Sequence, residues 1–146
     1  MSNKPTAAAY QLLHEGSLAL ADVEANGIRI DTEYLARTIK KTDGQITKLE
    51  ESLKKTDEWA LWRKKYGTRT NMDSRAQLGR ILFGELGHEC LSRTATGKPK
   101  VDELAIKAVG TDFVNAYIKL QKRKKMRSTY LRGIQREVTE DGRLHP

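Results

Sequence analysis

Cysteine, histidine and proline are all scarce in this chain. Of its 146 residues, one is cysteine, three are histidine and three are proline. The lone Cys90 excludes an internal disulfide and fits a reducing compartment. His14, His88 and His145 lie far apart in sequence. His88 and Cys90 are two residues apart, but no second pair completes a zinc site, so both read as structural. No apolar run is long enough to cross a bilayer, and the N-terminus lacks a signal-peptide pattern. These absences predict a cytoplasmic protein with no membrane partner.

Catalytic signatures are equally thin. Gly97-Lys98 has the form of the end of a phosphate-binding loop. Ser92, however, stands where the upstream glycine is needed, and neither Ser nor Thr follows the lysine. Glu50-Glu51 and Asp57-Glu58 read as solvated helix faces and ends. No local motif places a carboxylate pair for two-metal chemistry, and no nucleophile elbow supports a Ser/His/Asp arrangement. Repeats and low-complexity tracts are absent as well. The chain by itself is therefore expected to be inactive, with no cofactor of its own.

What the chain does have is positive charge, concentrated in one place. It carries 27 Lys and Arg against 19 Asp and Glu, a net charge of +8. The twenty residues Tyr117–Arg136 hold eight of those cations (Lys119, Lys122, Arg123, Lys124, Lys125, Arg127, Arg132, Arg136) and no acid. Outside this segment 19 basic residues face 19 acidic ones, so the rest of the chain is formally neutral. A basic stripe of this kind suits a polyanion, because each neutralised phosphate releases condensed counterions. The plainer alternative is a solvated helix face.

The hydrophobic fraction is 38% and the charged fraction 32%, which argues for a thin or elongated shape. Pro5 suits the first turn of a helix over Ala7–Asn26, with Leu13, Leu20 and Val23 on one side and Asn26-Gly27 as its stop. Ile28-Arg29-Ile30 is extended, and Asp31 is an N-cap. Leu35, Ile39, Thr42, Ile46, Leu49 and Leu53 then alternate in fours and threes, a coiled-coil-like seam expected to pack on the chain's own basic helix. Asp43-Gly44 weakens that helix, and a break is expected near Thr56-Asp57. Trp59, Trp62 and Tyr66 continue an apolar face in a new phase, read as packing.

Ser74 and Gln77 match a capping box. Leu78, Ile81, Leu82 and Leu86 give that helix a buried face, and Gly87 stops it. Residues 88–100 read as a loop, Asp102–Val109 as a short helix, and Thr111 as the cap of the basic helix, which should end near Arg132. Phe113, Tyr117 and Leu120 anchor its first half, and Tyr130 is expected in the core. Glu140-Asp141-Gly142 reads as a turn before a strand that starts at Arg143. The expected fold is mainly α: a long antiparallel helix pair, a small helical tip subdomain at about 68–110, and a short terminal strand. All of 1–146 is taken as one domain.

Six stretches, in order, resemble the thumb region of the A-family (DNA polymerase I-like) DNA polymerases. Leu20–Asp31 is similar to the segment leading into the first long thumb helix. Asn71–Leu78 resembles the tip motif NxxSxxQL, and Leu82–Gly87 continues it. Thr96-Gly97-Lys98-Pro99 is similar to the TGKPS loop, Lys125–Tyr130 to KLKSTY, and Gly142–His145 to the GRLH strand that leads into the palm. The ending Glu140–Pro146 and the insert at Trp59–Tyr66 look more like phage-type members.

The resemblance implies a part that grips the primer–template duplex by non-specific sugar-phosphate contacts during DNA replication. Ser74 and Arg75 at a helix N-terminus would contact phosphate, as would Thr96, Lys98 and Lys100 on the loop. Lys122, Lys125, Arg127, Ser128 and Thr129 would line the duplex side of the basic helix. Asp73 departs from the family's usual residue and is expected to cap rather than touch DNA. The resemblance also implies that Mg2+ would bind the palm and that nucleotide-binding residues lie in the fingers, neither of which this chain includes. Two other readings use the same residues: a stand-alone basic helical nucleic-acid-binding module, and a helical protein that self-associates through the Leu35–Leu53 seam.

Overall fold

The computed structural model describes residues 6–145, so the placements expected for Pro5 and Pro146 lie outside the described residues. The elements run α1 (Ala7–Asn26), β1 (Ile28–Arg29), α2 (Thr32–Leu53), α3 (Asp57–Tyr66), α4 (Arg75–Gly79), α5 (Glu103–Lys107), α6 (Asp112–Lys125), α7 (Arg132–Glu137) and β2 (Arg143–Leu144). The fold is mainly α, as expected. Short polar side chains start six of the helices. Thr6, Asp31, Thr56, Ser74, Asp102 and Thr111 each accept a hydrogen bond from a backbone N–H three residues on, satisfying a donor that the first turn leaves free.

Two of the helices contain a π turn. Arg80–Glu85 extends α4 in this form, and Met126–Leu131 joins α6 to α7. Backbone angles stay helical across both joins of the second turn. The basic segment is thus one continuous helix over 112–137, longer than its expected end near Arg132. A π turn carries an extra residue, so side chains beyond it rotate relative to those before it.

The helix pair is antiparallel. α2 packs along α6, the π turn and α7. Glu50 of α2 meets Lys124, while Asp43, earlier in α2, meets Arg127 and Arg132, later in the partner helix. Leu35, Ile39, Thr42, Ile46 and Leu53 are buried and Leu49 is half-buried. The seam is therefore covered by the chain's own basic helix rather than open to a second copy. Thr42 is tolerated there because its hydroxyl donates to the Thr38 carbonyl at 2.8 Å. Gly44 leaves α2 unbroken, and the chain breaks instead at Lys54–Thr56, before Thr56 caps α3.

The core lies where the upper shaft meets the tip. Trp62, Leu78, Ile81, Leu82, Val114 and Leu120 are fully buried, and they form one cluster with Ile46, Leu53, Met72, Ile106, Phe113 and Tyr117. Each large apolar side chain buried here contributes about 1.5–3 kcal/mol. Trp62 sits in the core because Gln77 Oε1 accepts from its indole N–H at 2.8 Å. Two expectations fail in this region. Leu86 is 38% exposed, because it follows the π turn and rotates off the buried face. Tyr130 is 57% exposed, because it lies within the second π turn on a side that no other element covers.

At the other end, β1 and β2 pair antiparallel, Ile28 with Leu144 and Arg29 with Arg143. Gly27 has φ 62, and a Cβ there would meet the His145 ring at 2.8 Å and the Leu144 carbonyl at 2.9 Å, so only glycine fits this corner. α1 ends against this sheet. Arg143 Nη1 donates to the Asn26 carbonyl, and His145 Nδ1 lies 2.8 Å from that of Glu24. Along its length α1 buries no residue, and Tyr10, Leu13, Leu20 and Val23 all stand exposed. Among the described residues, no helix is long and apolar enough to cross a membrane.

Candidate nucleic-acid interface

Seven of the eight cations of the basic helix divide between two faces, and the eighth, Arg136, pairs with its neighbour Glu137 at 3.0 Å. Toward α2, Lys124 Nζ lies 2.8 Å from both Glu50 Oε1 and Asp73 Oδ1. Arg127 Nε is 3.0 Å from Asp43 Oδ1. That oxygen has no hydrogen bond of good geometry, so the attraction there is Coulombic. Arg132 lies 3.8 Å from the other oxygen of Asp43. Ser128 faces the same cleft and donates to the Lys124 carbonyl at 2.9 Å. These charges join the helix pair together.

On the outer side, Lys119, Lys122 and Arg123 share a shallow depression of about 410 Å³ with Asn115, Ile118 and Met126. Lys122 reaches Glu103 of α5 at 2.5 Å, yet both side chains remain half or more exposed. Among the described residues Lys119, Arg123 and Lys125 have no acidic partner. Lys125 and Thr129 are exposed. The sequence-expected residues Lys122, Lys125 and Thr129 are thus accessible, as is Ser128 where it lines the cleft, while Arg127 turns into it. Lys119 and Arg123 were not singled out from sequence. Their signal was the i, i+3, i+4 spacing of 119, 122 and 123 on one helix face.

The tip presents a second group. Ser74 caps α4 through a hydrogen bond from Gln77 N at 3.3 Å. Gln77 does not complete the expected reciprocal box. Its amide donates to the Arg69 carbonyl at 2.9 Å, and its oxygen accepts from Asn71 N and from Trp62. Arg75 is exposed, with Nη1 donating to the Val101 carbonyl at 3.2 Å. Thr96, Lys98 and Lys100 are exposed on a hairpin whose Arg93 and Pro99 bridge. Thr94 N donates to the Lys98 carbonyl, and Lys100 N to that of Ser92. The backbone of this loop is therefore fixed while its cations remain free.

Asp73 neither caps a helix nor stands alone. Its Oδ1 accepts from Gln121 Nε2 at 3.1 Å and Lys124 Nζ at 2.8 Å, which ties the tip to the basic helix. Partial burial opposes ionisation of Asp73, but hydrogen bonds from Lys124 and Gln121 outweigh it and hold the carboxyl below the usual range. Burial likewise opposes the charge on Lys124, and Asp73 and Glu50 outweigh it, raising its pKa. Glu103 is lowered, first by its hydrogen bond from Lys122. Burial and the nearby Asp73 charge push the Tyr117 hydroxyl up.

Among the described residues no three His, Cys, Asp or Glu side chains come together as a metal donor set.

The fold and site define a mainly α helical protein with a capped tip and a cationic outer face. Comparison with known proteins narrows the class. The sequence is 32% identical over 133 residues to the thermostable DNA polymerase I of Thermus filiformis, covering 88% of this chain and 15% of that protein. It is 23% identical over 170 residues to a DNA polymerase of Bacillus phage SP01, covering 90% of this chain and 18% of that one. The fold matches the POL domain of Pol1 from M. smegmatis, in complex with DNA primer-template and dNTP. The TM-score is 0.66 at 25% identity, over 86% of this chain and 21% of that one. No family model matches the sequence. The chain is a homologue of one segment of the A-family DNA polymerases, and it spans less than a fifth of the length of these curated relatives.

Proposed function

We propose that this chain is the thumb part of an A-family DNA polymerase and grips the primer–template duplex during replication, in the cytoplasm of a bacterial or phage-infected cell. The carrying observation is the outer depression of Lys119, Lys122 and Arg123 on a helix braced along its length by α2. The relative of like fold was captured with primer–template DNA, which supports the same partner here.

In this reading the outer cations, with Lys125 and Thr129, meet phosphates along one stretch of backbone. Ser74, Arg75, Thr96, Lys98 and Lys100 meet the duplex from the tip. Arg127 and Ser128 act from the cleft, where Asp43 competes for the guanidinium. Phosphate contacts carry no sequence information, so binding is non-specific. For the isolated chain its Kd is on the order of 10⁻⁴–10⁻⁶ M at physiological salt. The palm and fingers of a polymerase would complete the partner set, and synthesis would require them.

The test is fluorescence anisotropy with labelled duplex DNA. Replacing Lys122, Lys125 and Arg127 together by Ala weakens binding and flattens its salt dependence. Unchanged binding by the triple variant would sink the reading. A nucleotide-incorporation assay on the purified chain should give no product.

A further inference from the structure

A second concave surface lies on the tip, and of its lining the duplex reading uses only Lys98. It is a groove of about 890 Å³ between the α4 helix with its π turn and the hairpin around Arg93–Pro99. Gly79, Phe83, Pro99 and Val101 give it an apolar floor. The floor is preformed: a Cβ on Gly79 would lie 2.6 Å from Val101 Cγ2, so the hairpin strand packs directly on the helix backbone. Arg75 fixes the same strand through its bond to the Val101 carbonyl. The volume falls in the range of about 300–1,000 Å³ typical of ligand clefts.

Four cations line the groove, three of them without an acidic partner among the described residues. Arg80 and Lys98 are exposed and, among the described residues, have no acidic or hydrogen-bonding side-chain partner. Arg93 donates only to the Gly97 carbonyl of its own hairpin, at 3.0 Å. Lys65, which also lines the groove, is neutralised by Glu85. One acid, Glu89, is on the lining.

We propose that this groove docks a partner protein through an acidic peptide segment with an apolar anchor. The anchor seats on Phe83 and Val101, and its flanking carboxylates pair with Arg80 and Arg93. Charge complementarity selects an anionic partner, and the floor selects a peptide over a nucleic-acid strand. Single strands are held by stacking their bases on exposed aromatic faces. The rings here are His88 and a Phe83 already half-buried in the core. Glu89 would repel a phosphate running the length of the groove, whereas a peptide can leave that position neutral.

The test is an amide-shift NMR titration of the full chain with three probes. The first is a synthetic dodecapeptide with a central Leu-Phe pair between Asp/Glu flanks, the second the same peptide with Ala-Ala at its centre, and the third single-stranded dT12. The expected result is saturable shifts confined to residues 76–101 with the first peptide. They weaken at least about tenfold, or 1.4 kcal/mol, with the second peptide and in Arg80→Glu/Arg93→Glu. Both arginines are exposed, and Lys98 is spared because the duplex reading also uses it. Arg80→Gln/Arg93→Gln provides a milder variant if charge reversal disturbs the fold. No shift with the first peptide, equal shifts with the Ala-Ala peptide, or indifference to both arginine variants would overturn the proposal. So would shifts in 76–101 with dT12 alone.

Discussion

Asp73 and Lys124 stand 51 residues apart in sequence and meet at 2.8 Å. The contact joins the tip to the basic helix, and Lys124 also reaches Glu50 on the opposing α2. One cation of the basic segment thus holds three parts of the fold together rather than facing a partner.

Breaking this contact should loosen the tip. Asp73→Asn is expected to lower stability by about 1 kcal/mol or less, because the Asp73 side chain is more than half exposed and solvent screens the pair. The pair contributes above the ordinary carboxyl pKa of about 3.9 and fades as pH falls through the lowered value of Asp73. Lys124 has the opposite sign. Its raised pKa gives a contribution fully present below the ordinary lysine value near 10.4 and lost as pH rises through the raised value. Urea denaturation should therefore show a difference between wild type and Asp73→Asn that is flat from about pH 5 to 10 and shrinks as pH falls below about 4.

Gln77 satisfies Trp62, Asn71 N and the Arg69 carbonyl at once. Gln77→Ala leaves the buried indole N–H without a partner, at a cost of about 1–3 kcal/mol. Chemical denaturation followed by tryptophan fluorescence measures the loss, and a Gln77→Ala protein as stable as wild type would refute the role.

Gly79→Ala should destabilise the tip through collision with Val101. Adding Val101→Ala to it should recover part of the loss, because the offending Cγ2 is removed. Thermal melts of the two single variants and the double variant give the coupling.

Glu103→Gln removes the acid that competes for Lys122. On the duplex reading, affinity rises and the slope of log K against log salt steepens by up to about one ion. Anisotropy titrations at several salt concentrations check this, and an unaltered slope would place Lys122 away from the phosphates.

Much of the framework was legible in the sequence because its signals are local. The caps Asp31, Ser74 and Thr111 each start a helix where their short oxygen-bearing side chains imply, and the alternation from Leu35 to Leu53 marked the buried seam. The strand at Arg143 and its glycine turn were also local. What could not be read was phase and pairing. Two π turns carry no clear residue signature, and they displaced Leu86 and Tyr130 from their expected burial. For the interface, the density of cations was visible but their direction was not. Lys124 and Arg127 turn inward because Glu50, Asp73 and Asp43 are brought opposite them by chain segments far away in sequence.

The wide turn at Met126–Leu131 acts like a spacer in a gear train. Removing one residue from it would leave a well-formed helix, but every side chain beyond would advance by roughly 100°. Arg132 would swing away from Asp43, and the chain would reach β1 with its terminal strand facing the wrong way. The length of this segment is therefore constrained more tightly than its composition.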